Sequence, residues 1–119
     1  VLQWLNFGLG DPSLTKSLFA AATYLDNLRK QQKDNRGLSF TTISGGGPNG
    51  AIIHYHPTEN NSSLVTKQMI HLVDSGGQYL DGTTDVTRAF HFGTPNAEKK
   101  THLQGVAWQS RYLKNEMAE

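Results

Sequence analysis

Leu72–Arg88 reads "LVDSGGQYLDGTTDVTR". A short apolar run ends on Asp74, and Asp85 opens the next one eleven residues later, with Asp81 between them. Aspartate is a poor strand former and is seldom buried without a partner. A carboxylate at the end of an apolar strand is costly unless it is hydrogen-bonded or metal-bound. If the strand Gln68–Asp74 pairs with the strand Val86–Phe92, both carboxylates reach one point on a sheet. Hard carboxylate oxygens brought together suit Mn²⁺, Mg²⁺ or Zn²⁺, and like charges that close need a cation between them. The alternative is that Asp74 and Asp85 bond turn amides. Asp81, beside Gly82, is a turn residue.

Working outward, Asp81-Gly82-Thr83-Thr84 predicts a hairpin turn between a strand at Gln78–Leu80 and the strand that opens at Val86. Upstream, Leu18, Ala21, Ala22, Leu25 and Leu28 recur at helical steps, predicting a helix over Thr15–Lys33. Val1–Gly10 reads as the end of an earlier helix, and Asp11-Pro12-Ser13 as a turn able to cap the next. The period then changes to two. Leu38–Ile43 alternates as a strand, Ser44–Gly50 ("SGGGPNG") is a loop, and Ala51–Tyr55 is a second strand stopped by Pro57. That loop matches G-x-G-x-x-G, but β-rich sequence follows where a nucleotide site needs a helix, so a plain turn is expected. Downstream, Gly93–Asn96 starts a helix whose face is Leu103, Val106, Ala107, Ser110, Leu113 and Met117. Helix, helix, a meander of mostly antiparallel strands and helix make an α+β chain.

Composition narrows the chemistry. The 119 residues make one small domain or a piece of a larger one. Net charge is +1, with no basic face or aromatic platform, so no nucleic-acid partner is expected. No apolar run approaches membrane-span length and no signal-peptide pattern opens the chain, so no membrane partner and a cytoplasmic location are expected. Cysteine is absent, so any metal must take nitrogen and oxygen ligands. Strand alternation puts His54 and His56 on one face, either as a two-histidine metal pair or as one buried and one edge residue. His71, His91 and His102 read as structural.

Three ordered blocks carry a resemblance: "GPNGAIIHYHP" (Gly47–Pro57), "VDSGGQYLDGTTDVTR" (Val73–Arg88) and "HFGTP" (His91–Pro95). Together they resemble the Xaa-Pro aminopeptidases (aminopeptidase P), metallopeptidases of the pita-bread fold shared with methionine aminopeptidase and prolidase. "YLDNLRKQQKDNRGLSFTTIS" (Tyr24–Ser44) is similar to the start of that catalytic domain. The match runs over about residues 4–100, leaving 101–119 as a divergent helical tail of a partial catalytic domain over 1–119. The fold it implies is the N-terminal half of the pita-bread (creatinase/aminopeptidase) fold, a mostly antiparallel sheet flanked by helices.

The resemblance also implies roles. Asp74 would bind one metal ion and Asp85 would bridge two, with manganese the usual ion. His54 would contact substrate and steady the tetrahedral intermediate, and Thr87 would support Asp85. The substrates implied are peptides with proline at the second position. A further histidine and two glutamates complete the family's ligand set in later segments that find no match before Glu119. The expectation is a truncated form, inactive alone, with self-association through exposed sheet; the alternative is a non-catalytic binding module or remnant of the family.

Overall fold

The computed structural model describes residues 16–102 and residue 104. The expectations for Val1–Gly10, for Asp11–Ser13 and for the helical face from Leu103 onward lie outside those residues.

Helix α1 spans Leu18–Lys30. Its cap is Ser17, whose side chain accepts from the Ala20 amide at 3.0 Å, satisfying one of the amides that a helix start leaves unpaired. Two more amides are met by the loop at 62–63: Leu18 N donates to Ser63 O at 2.9 Å and Phe19 N to Ser62 Oγ at 2.8 Å. The apolar periodicity is realised at Leu18, Ala21 and Ala22, which are buried. Leu18 and Ala21 join Val65 in a core cluster, with Tyr55 and Phe92 packed against it.

Among the described residues five strands follow: β1 (Asn35–Leu38), β2 (Ile43–Gly46), β3 (Ile70–Ser75), β4 (Gly77–Tyr79) and β5 (Val86–His91). They form two antiparallel sheets, β2-β3-β5 and the smaller β1-β4. In β3, the centre of the larger sheet, burial alternates strictly: His71, Val73 and Ser75 are buried, and Ile70, Leu72 and Asp74 are less so. Arg29 of α1 donates to Ser75 through its carbonyl at 3.3 Å and its hydroxyl at 3.0 Å. Thr42, at the head of β2, donates to Asp26 of α1 at 2.5 Å. The helix thus grips one face of the sheet, and period two directs Asp74 to the other. A short 3-10 helix, Gly47–Ala51, follows β2, and a helix runs through 97–102 with Asn96 accepting from the Lys99 amide at 2.9 Å.

Four expectations are corrected. The expected strand Leu38–Ile43 survives only at its ends: Leu38 closes β1 and Ile43 opens β2, strands of different sheets, and the four residues between them cross from one to the other. Ser44, Gly45 and Gly46, expected in a loop, lie inside β2. The two glycines fit there because a Cβ on Gly45 would come within 2.9 Å of Gly50 Cα and one on Gly46 would meet the Met69 side chain. Ala51–Tyr55 is not a strand: Ile52–His54 are bend and turn, closed by Tyr55 N donating to Ile52 O at 3.2 Å. Finally, the turn at Asp81–Thr84 does not pair the strand at Gln78–Leu80 with the strand that opens at Val86. It folds back on β4, with Thr84 N donating to Gly77 O at 2.9 Å, and β5 then crosses to pair with β3.

Candidate functional site

The β3–β5 register decides where the carboxylates go. Asp74 lies opposite Thr87, and Ser75 opposite Val86. Asp85 sits two residues before Thr87, so alternation carries it toward the face that Asp74 and Thr87 share. On the other side Asp74 lies opposite Ile43 of β2. Asp74 and Asp85 line one open cleft of about 640 Å³ with Phe40, Thr41, Ile43, His54 and His56.

The two histidines arrive by a route the alternation pattern did not foresee. His54 has a φ of +57°, in the left-handed region, as the third residue of the Ile52–Tyr55 turn. Both imidazoles reach the cleft from this loop, not from one face of a strand. Phe40 and Thr41, expected as interior strand residues, form cleft wall from the crossing between β1 and β2. Nothing in their spacing marked them out.

Within the cleft, the chemistry favours a cation. Oδ1 of Asp74 is shut off from solvent with no hydrogen-bond partner among the described residues. No turn amide among them reaches that oxygen, and an unpaired buried carboxylate oxygen is costly. A hard divalent ion shared with Asp85 would satisfy it with the ligand type such ions prefer. The donor set fits a metal but is not a complete cage. Among the described residues no group of three or more His, Asp or Glu is placed to hold an ion.

The remaining histidines lie elsewhere. His71 is fully buried, with Nε2 2.9 Å from Ser44 Oγ and its ring centroid 6.4 Å from that of Phe92. Burial lowers its pKa from 6.5 to about 4, so the imidazole is neutral at pH 7. His91 Nδ1 donates to the Gly93 carbonyl at 3.0 Å. His102 is exposed, 3.9 Å from Glu98 one helical turn back.

The structure thus sets an antiparallel sheet gripped by a helix on one face against a cleft on the other that Asp74 and Asp85 line. Comparison with known proteins gives the family. Residues 7–111 match the model of metallopeptidase family M24, and the chain belongs to that family. A curated relative named "Probable Xaa-Pro aminopeptidase P", from Chaetomium globosum, is 52% identical over 97 residues, covering 82% of this chain and 16% of the relative. The X-prolyl aminopeptidase of Caenorhabditis elegans, described as a cytosolic enzyme with a di-nuclear active site, superposes with a TM-score of 0.73 at 37% identity, over 82% of this chain and 16% of that one. Prolidase from Thermococcus sibiricus gives 0.65 at 31% identity, over 72% of this chain and 23% of that one. The chain thus spans about a sixth of the length of the first curated relative. Among the described residues no helix is long and apolar enough to cross a membrane.

Proposed function

We propose that these residues form part of a cytoplasmic Xaa-Pro aminopeptidase, which removes the N-terminal residue before proline, and that Asp74 and Asp85 are metal ligands in it. The observation that carries this reading is the β3–β5 register, which brings both carboxylates to one cleft with Asp74 Oδ1 buried and unpaired. Asp74 would hold one divalent ion and Asp85 would bridge two, with manganese the ion proposed. Bound metal supplies a Lewis acid and a nucleophilic water at neutral pH. The chain's own residues supply the rest. His54 offers an imidazole N–H to the oxygen that gains charge as the peptide carbonyl is attacked. Phe40 and Ile43 give an apolar wall against which a substrate side chain or the proline ring can seat. Thr87, directly opposite Asp74, supports the carboxylate pair from the same face.

With two carboxylates and no cluster of three ligands among the described residues, these residues by themselves are proposed to be catalytically silent. Activity belongs to an assembly that brings further ligands to the cleft. The test is release of the N-terminal residue from an Xaa-Pro peptide by a chimaera carrying this chain in place of its counterpart in the Caenorhabditis elegans enzyme. Turnover that needs added Mn²⁺ and disappears in Asp85→Asn is expected, with none from the 119 residues alone. Turnover indifferent to Asp85→Asn would overturn the assignment.

A further inference from the structure

His54 stands in the left-handed backbone region, which few residues with a side chain adopt, although asparagine, aspartate and histidine enter it more often than the others. Such strain persists only where the surroundings over-determine it. The fixing element is the next residue. The Tyr55 amide closes the turn on the Ile52 carbonyl at 3.2 Å. Its ring packs on the Leu18–Ala21–Val65 cluster. Its hydroxyl accepts from Asn49 Nδ2 at 3.1 Å and donates to the Asn61 carbonyl at 3.4 Å. Asn49 belongs to the 3-10 helix that continues β2, and Asn61 to the polar loop beyond Pro57. Neighbouring Ile52 and Ile53 are 54% and 85% exposed and contribute little packing.

The geometry points to Tyr55 as the positioning residue that holds His54 and His56 in the cleft that Asp74 and Asp85 also line. This rests on reading the cleft as a peptidase site only for its consequence; the anchoring itself is a property of the loop. Tyr55 is half-buried, with its apolar ring against the core and its hydroxyl bonded at the rim, and the two ends brace one three-residue segment between them. His54 and His56 flank Tyr55 in sequence, so one anchor sets both imidazoles. Rotation of the Tyr55 ring out of its seat would release the turn and withdraw both from the carboxylates.

The test uses the full chain labelled with ¹⁵N, comparing wild type with Tyr55→Phe and Asn49→Ala. Tyr55→Phe keeps the ring and removes only the hydroxyl, so the fold and thermal midpoint should be nearly unchanged. Without metal, the ¹⁵N–{¹H} NOE at His54 and His56 is expected to fall in both variants and to hold at Val73 in β3. With substoichiometric Mn²⁺, paramagnetic broadening of the His54 and His56 imidazoles is expected to fall severalfold, with Mn²⁺ affinity unchanged. A merely structural tyrosine would not separate these two readouts. A His54–His56 segment as rigid and as strongly broadened in Tyr55→Phe as in wild type would overturn the inference. Broadening that survives Asp85→Asn would instead refute the metal reading, and the metal-free NOE would then decide the role of Tyr55 by itself.

Discussion

Acidification should cost this chain stability through one residue, His71. The imidazole is fully buried between β2 and β5. Among the described residues only one ring nitrogen is bonded, to Ser44. Burial disfavours the charged form and lowers the pKa from 6.5 to about 4. Since the folded pKa lies below the unfolded one, the unfolded chain takes up the proton first as pH falls. Above pH 6.5 the residue is neutral in both states and contributes no pH dependence. Between pH 6.5 and 4 stability is lost, and below 4 the loss levels off. The whole shift corresponds to about 3 kcal/mol, of which about 2 kcal/mol falls between pH 7 and pH 5. The assay is urea unfolding at both pH values for wild type and His71→Gln, which keeps a hydrogen-bonding group for Ser44 but does not titrate. Carboxylates and the other histidines contribute alike to both proteins and cancel. The variant should lose about 2 kcal/mol less than wild type between the two pH values. Equal losses would mean that His71 is charged within the fold, refuting the burial argument.

Other perturbations probe the scaffold around the cleft. Leu18→Ala removes the largest fully buried side chain of the core cluster and should cost about 2–5 kcal/mol in urea unfolding. Ser17→Ala removes the α1 cap and should cost about 1 kcal/mol by the same assay, with Ser17→Gly costing less. In β5, Val86 to Ala89 are exposed, and among the described residues the strand pairs on one edge only. Self-association through that edge is expected in sedimentation velocity and should diminish in Val86→Lys, since an edge lysine resists strand addition.

Where the sequence pattern was local, it was legible. An apolar run closing on Asp74 and the return of a strand at Val86 were enough to bring Asp74 and Asp85 to one cleft, because pairing register transmits parity from strand to strand. The helix was legible at Leu18, Ala21 and Ala22 for the same reason, with period 3.6. Ala51–Tyr55 was not. Its isoleucines favour a strand, but β propensity is realised only against a paired neighbour, and here the segment closes a turn on itself. The reverse happened at Gly45 and Gly46. Glycines signal a loop, yet here they sit in β2 where Gly50 and Met69 leave no room for a side chain. The cleft wall at Phe40 and Thr41 depends on how two sheets are joined, which no local period encodes. Tyr55 and its asparagine partners were hidden likewise, since their contacts span six residues or fewer but follow no repeat.

The pairing of the two carboxylates on one cation is the claim on which the functional reading stands. The most direct measurement is a Mn²⁺ titration of the chain followed by the electron paramagnetic resonance signal of free ion, in wild type, Asp74→Asn and Asp85→Asn. Weak binding in wild type that either substitution abolishes is the expected result. Free-ion signals that rise identically in all three proteins would contradict it, leaving the two aspartates as residues of the sheet alone.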